Sequence, residues 1–336
     1  MPELDGLRAI AVLMVITCHL HVRVWDWLWG QRGVTVFFVI SGYLITSLAL
    51  AEEAKRGRLS LAGFYIRRSF RIFPLYYFVL GGYTALIFGT GLWPKKAGVL
   101  SAEMPYLLLY LQEYPHYVWQ SIETPFYHSW SLGIEEKFYL IWPALCFLVL
   151  SSRRAWRSAT AITMIVALSL MGKFTLPYAS IMIGCLLALV LQPSGVRRWI
   201  ATHATWSVWA ALASVLAMQA FAPWFEVGYA LAVAAFLGIL VYSGSPLRTA
   251  LGCRPLAYVG KVSYGVYLVH ILCINAVERI VHQPVLTYVA AVALSVAAAS
   301  VLHLVLERPL IAVGRRLANR YIERSTGPRG AELAIA

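Results

Sequence analysis

The sequence predicts an all-α polytopic membrane protein: about ten transmembrane helices plus one re-entrant or interfacial segment, with the N-terminus and C-terminus cytoplasmic. Three observations predict it. Of the 336 residues, 60% are hydrophobic and 13% are charged, where a soluble domain carries roughly a quarter charged residues. The apolar residues gather in runs of roughly 17–22, the length that crosses a bilayer core. The 28 Lys and Arg residues fall unevenly between those runs, as the positive-inside rule requires of a multi-pass chain.

In chain order the expected spans are 7–24, 33–51, 72–92, 131–150, 158–174, 176–191, 204–221, 227–243, 262–280 and 285–305. With the N-terminus inside and the spans alternating, 21 of the 28 Lys and Arg residues lie on the cytoplasmic side and seven outside. The stretch Met104–Trp119 is also apolar, but it is short, holds Pro105 and Pro115, and carries Gln112, Glu113 and His116. Counting it as a span would invert every later connection and destroy the charge bias. It is therefore expected to be re-entrant or interfacial, beside protein or a water-filled cavity. The chain then divides into a membrane-embedded domain over 1–312 and a short basic cytoplasmic tail over 313–336, helical at first and then frayed.

The net charge of +13 invites a nucleic-acid reading, but the charge is topological and faces anionic membrane lipids, so no nucleic-acid partner is expected. Cys18, Cys146, Cys185, Cys253 and Cys273 form no CxxC pair. They read as small apolar residues rather than a disulfide or metal framework, and no metal is expected. The opening MPELDGLR has no cleavable signal pattern, so the first apolar run is read as a span. No internal repeat is evident.

Ionisable groups inside spans are costly and mark function. Arg8 and His19 share the first span, eleven residues and about 16 Å apart along a helix, on nearly one face. The plainer reading, a snorkelling arginine and a hydrogen-bonded histidine, stands level with the catalytic one on spacing alone. Ser41-Gly42 in the second span reads first as close helix packing, and second as room for a ligand chain beside Phe37 and Phe38. Arg68 and Arg71, with Arg67, sit in FYIRRSFRIFP, three apart and on one helical face. Such a cluster suits phosphate, because guanidinium forks bind it bidentately; a juxtamembrane positive-inside cluster is the plainer reading. FYHSWSLGIEEKFYLIWP brings His128, Ser131 and Glu135 to the outer mouth, and a histidine with a carboxylate is what acid–base chemistry needs. Helix capping by Ser129 or Ser131 accounts for the acids there but not for His128. Tyr264, Tyr267 and His270 recur at three-residue spacing, and Glu307 near the end of the last span is placed to pair with an arginine.

Taken together and in order, these segments resemble the membrane-bound acyltransferase family 3, known from bacterial O-antigen and exopolysaccharide O-acetyltransferases. The resemblance covers roughly residues 1–312. It rests on Arg8 and His19 after LDGLR, on FFxxSG at Phe37, Phe38, Ser41 and Gly42, and on RxxR at Arg68 and Arg71. It rests further on H-x-W-S-L-x-x-E-E-x-F-Y-x-x-W-P from His128 to Pro143, and on SYxxYLxH from Ser263 to His270. Lys137 stands where glutamine is common. Many relatives carry an extracytoplasmic hydrolase-like domain after the last span; the sequence is expected to do without one, transferring directly or through a separate extracytoplasmic partner.

The resemblance implies a multi-pass protein of the bacterial cytoplasmic (inner) membrane. It implies that Arg8 and His19 are essential and that Arg68 and Arg71 hold a cytoplasmic acyl-CoA, acetyl-CoA being the expected co-substrate. The expected reaction moves an acyl group to a hydroxyl of a cell-envelope or secreted glycan or lipid-linked glycan. Catalytic candidates are His19, Arg8, Glu135 and His128; donor-binding candidates are Arg68, Arg71, Arg67 and Ser41. His19 reads equally as a general base or as a transient acyl carrier. Trp25, Trp27, Trp29, Tyr114, Tyr117 and Trp119 suit stacking on a sugar ring or, more simply, an aromatic belt. Two alternatives stand: a macrolide or other small-molecule acceptor, and a non-enzymatic transporter or flippase, against which the absence of an inverted repeat counts.

Overall fold

The structure, a computed structural model, describes residues 1–20, 22–91, 94–118, 126–150, 154–221 and 225–326, and among these no strand forms. The helices are α1 (Pro2–His19), α2 (Arg32–Arg56), α3 (Leu61–Thr90), α4 (Pro94–Leu108), α5 (Glu113–Val118), α6 (Trp130–Ala144), α7 (Arg154–Leu170) and α8 (Leu176–Val190). They continue as α9 (Ser194–Phe221), α10 (Glu226–Tyr242), α11 (Pro246–Leu251), α12 (Arg254–Lys261), α13 (Ser263–Glu278), α14 (Pro284–Leu302) and α15 (Arg308–Thr326). Each of the ten apolar runs falls on a helix.

Four described helices are long and apolar enough to cross a membrane, those within Trp25–Arg56, Leu61–Thr90, Ser194–Phe221 and Pro284–Arg324. A fifth joins them if α12 and α13, bent by 76° at Val262, count as one span. Ala155–Leu170, Leu176–Val190 and Glu226–Tyr242 are apolar but shorter. The exterior is that of a membrane protein: Leu170, Trp206, Phe221 and Ile280 are each more than 80% exposed, a display of large apolar side chains that water penalises and lipid does not.

The awkward segment is no continuous span. α4 contains Pro105 and ends at Leu108, Tyr110 turns to φ 56°, and α5 begins at Glu113. Such a left-handed step for a bulky residue ends a helix and has to be held by its surroundings. Trp119, at the segment's end, and residues 327–336 of the tail lie outside the described residues. The structure has no break between 312 and 313. α15 runs on to Thr326 with Ala318 and Ile322 buried, Ile322 lying where a Cβ on Gly63 of α3 would be.

Close backbone approach fixes the helices around the site. A Cβ on Gly42 would collide with Ile181 O, and one on Gly184 with Val39 O. The two glycines therefore let α2 and α8 lie backbone to backbone, the most extensive helix contact among the described residues. The Cβ absent from Gly260 would collide with Asp5 O in the same way, which seats the start of α1 on α12. The packing reading of Gly42 is thus right for Gly42; its neighbour Ser41 faces elsewhere.

Candidate active site

One cavity gathers residues from six helices. Arg8 comes from α1, Phe37 and Ser41 from α2, Arg68 and Arg71 from α3, Glu135 and Glu136 from α6, Lys261 from α12, and Tyr264 and Tyr267 from α13. α3 begins at Leu61, capped by Ser60 Oγ accepting from Gly63 N at 3.2 Å. Arg68 and Arg71 therefore do lie on one helical turn and share the cavity wall. Four cations face two carboxylates. The Nε atoms of Arg8 and Arg68 are buried without a hydrogen-bond partner, a state that costs desolvation unless an acceptor arrives.

Around Arg68 the cavity wall is a polar network. Its guanidinium lies 3.6 Å from the Tyr139 ring centre and 4.0 Å from Glu135 Oε2. Tyr139 Oη donates to Glu135 Oε2 at 2.6 Å and lies 3.0 Å from Ser41 Oγ, which donates to Glu135 Oε1 at 3.3 Å. Glu135 is therefore a partner of Ser41, Tyr139 and Arg68. It is not paired with His128 as the sequence suggested, because α6 turns it into the arginine cavity. Arg67 differs from its neighbours: it ion-pairs with Glu52 at 2.6 Å and lines a second cavity with Glu52, Arg68, Arg71 and Arg315. Arg68 and Arg71 line both cavities.

His19 lies at the other end of α1 and meets His270 of α13. His270 Nδ1 is 2.6 Å from Tyr267 O, and its Nε2 is 3.3 Å from His19 Nδ1. A carbonyl can only accept, so in the neutral ring His270 carries its proton on Nδ1 and offers Nε2 as acceptor. His19 Nδ1, also 2.8 Å from Val15 O, is then the protonated nitrogen of its own ring, and Nε2 holds the lone pair. His128 completes a layer of rings, with centroids 5.0 Å from His270 and 5.6 Å from Tyr267. It lies in a 3₁₀ turn before α6, buried, with Nε2 donating to Leu268 O at 3.3 Å. It is not at an open mouth, and the 3₁₀ turn sets it apart from the helix that carries Glu135.

Two further expectations change. Neither serine caps α6: Ser129 Oγ donates to Phe126 O at 2.8 Å, and Ser131 Oγ lies 2.7 Å from Tyr267 Oη. Glu307 takes its hydrogen bond from His303 Nδ1 at 2.7 Å, not from an arginine, because a π-helical turn over His303–Glu307 redirects it. Sequence reasoning missed Glu136, Lys261, Tyr139 and the His19–His270 contact. Of these only Tyr139, four residues after Glu135, had a local signal. Among the described residues no group of His, Cys, Asp or Glu has the placing of a metal site.

The helical bundle thus carries a cavity with buried guanidinium groups at one end of α1 and paired imidazoles at the other. Comparisons with known proteins give the chain its family. The acyltransferase domain model Acyl_transf_3 matches residues 1–304, and the chain belongs to this family. It is 28% identical to O-acetyltransferase OatA of Staphylococcus aureus over 355 residues, covering 92% of this chain and 57% of that protein. It is 29% identical to peptidoglycan O-acetyltransferase OatA of Listeria monocytogenes over 310 residues, covering 80% of this chain and 48% of that one. The chain thus spans about half the length of the curated relatives it matches. No solved structure matches it.

Proposed function

We propose that the protein is a multi-pass O-acyltransferase of the bacterial cytoplasmic membrane, moving an acetyl group from cytoplasmic acetyl-CoA to a hydroxyl of a cell-envelope glycan. All ten apolar helices cross the membrane in this reading, with both termini inside. The observation that carries it is the cavity of Arg8, Arg68, Arg71 and Lys261, in which two buried guanidinium Nε–H groups have no acceptor. Phosphates of the donor satisfy such groups. Ser41 and Tyr139 hold Glu135 away from full neutralisation of Arg68, which keeps the arginine open to an anion. The names of the relatives, one of them a peptidoglycan O-acetyltransferase, favour a wall glycan as the acceptor.

In this mechanism the donor's charged end sits with Arg68 and Arg71 and its thin arm runs along α1 toward His19. Val15 O and His270 together hold the His19 proton on Nδ1, and His19 Nε2 takes the proton of the acceptor hydroxyl. The freed oxygen attacks the thioester carbonyl, the C–S bond breaks, and the thiolate leaves and is protonated. In the second form of the same step, Nε2 attacks the thioester first and the hydroxyl then takes the acyl group from the ring. His128 belongs to the acceptor side of the ring layer. The test is His19→Ala in the full chain, assayed in membranes for transfer from labelled acetyl-CoA. A loss of about 10²–10⁴-fold is expected; undiminished transfer by a folded variant refutes the role.

A further inference from the structure

The cavity that shares Arg68 and Arg71 with the first one lies further from His19. A Cβ on Gly33 would collide with Ala11 O, so α2 starts against the half of α1 that carries His19. Along α2, Phe37 and Ser41 then face the first cavity, and Leu48 and Glu52 face the second. Phe37 and Leu48 are eleven residues apart, about 16 Å along the helix. The two also differ in room, with volumes of about 70 Å³ and about 330 Å³. The first suits a thin arm, whereas the second reaches the size of a small-molecule pocket.

Its fourth arginine comes from α15. Arg315 lines the cavity with Arg67, Arg68, Arg71 and Glu52, although the sequence reading placed it in a basic tail. Two close approaches put it there. A Cβ on Gly314 would collide with the Phe70 side chain, and Ile322 occupies the space beside Gly63. The backbone next to Arg315 is thus pressed onto α3, one residue before Arg71. Glu52, the acid in the lining, is taken by Arg67 at 2.6 Å. Arg315 forms no ion pair or hydrogen bond with a described residue, so its charge remains for a ligand. Phe64 and Ile311 give the same cavity an apolar wall. Guanidinium groups beside an apolar surface suit a phosphate carried on a ring system.

We propose that this cavity receives the nucleoside end of the donor, and that Arg315 binds the phosphate monoester on its ribose. The pyrophosphate stays with Arg68 and Arg71, which face both cavities, and the monoester is the charge still to be placed. The inference rests on the acyl-CoA reading above, and it makes α15 a wall of the donor site. The probes are acetyl-CoA and acetyl-3′-dephospho-CoA, which differ only in that phosphate, with full-length protein in a neutral detergent. Transfer to a solubilised wall-glycan fragment is measured, and so is direct binding of CoA and 3′-dephospho-CoA. Wild-type protein is expected to favour the 3′-phosphorylated form about fivefold in KM and Kd, the upper end for an exposed charge pair. Arg315→Gln should raise both constants about fivefold for the phosphorylated form alone, with kcat unchanged, so that the preference disappears. Arg315→Lys should restore part of it. Arg316→Gln, the same loss of charge at a neighbour outside the lining, should alter neither donor.

A wild-type protein indifferent to the 3′-phosphate, or an Arg315→Gln variant that weakens both donors equally, overturns the proposal. So does an effect of Arg315→Gln seen only in vesicles containing anionic phospholipid and absent in neutral detergent, since the arginine would then serve headgroups. Preference for CoA over 3′-dephospho-CoA that depends on Arg315, without any transfer by the wild type, would instead count against the acyltransferase reading while leaving the nucleotide site standing.

Discussion

Replacing Lys137 by methionine removes the cation beneath a buried carboxylate. Lys137 forms an ion pair with Glu113 of α5, and it donates to Tyr110 O at 2.7 Å and Gly133 O at 3.2 Å. The Glu113 side chain is 0% exposed and that of Lys137 is 23% exposed. Breaking a fully buried pair costs about 3–5 kcal/mol. The partial exposure of the lysine weakens the pair that is lost and brings this down to about 2–3 kcal/mol. The double variant Glu113→Gln/Lys137→Met removes the carboxylate charge as well and is expected to recover about 2 kcal/mol of the loss. Thermal unfolding of detergent-solubilised protein at one fixed scan rate measures both; the single variant should melt several degrees lower, and the double variant nearer the wild type. A Lys137→Met protein that melts with the wild type, or a double variant as unstable as the two single changes added, refutes the pair as the clamp that holds the 109–113 turn against α6.

Three other outcomes are expected. Arg68→Ala with Arg71→Ala should raise the acetyl-CoA KM at least tenfold, since each lost charged hydrogen bond is worth about 1.5–3 kcal/mol; an unchanged donor dependence would leave the arginines a topological role only. His270→Phe should lower kcat about tenfold with little change in KM, while His270→Gln, whose amide oxygen still accepts from His19 Nδ1, should recover part of it; equal losses in the two variants would refute tautomer control. In a cysteine-free background, Lys55→Cys and Lys95→Cys should react with an impermeant maleimide from opposite sides of the membrane, and labelling from one side would refute the orientation.

Much of the helical plan was legible, because runs of apolar residues long enough for a bilayer are also long enough to form helices whatever packs on them. Met104–Trp119 was expected to be re-entrant or interfacial, and its described part is interrupted between Leu108 and Glu113, while Pro105 and Pro115 each lie inside a helix. Spacing on a single helix also carried through: Arg68 and Arg71 do share a face. What spacing cannot give is which helix stands opposite. Glu135 seemed to belong with His128 because they are close in sequence, but the 3₁₀ turn at Tyr127–Ser129 breaks the helical face, and Ser41 and Tyr139 capture the acid. Lys261 and His270 entered the site only through the placing of α12 and α13 against α1. Lys137, an oddity in its motif, is explained by Glu113, 24 positions earlier on a separate helix.

The interlocked glycines of α2 and α8 bear on how the donor is held in the proposed mechanism. Ser41 is carried on a helix whose back is pressed onto Ile181 with no side chain between them to yield. That side of the arginine cavity is a hard stop, and any adjustment to the donor's charged end and arm has to come from the α3 and α13 sides, where Ile72 and Tyr264 line it.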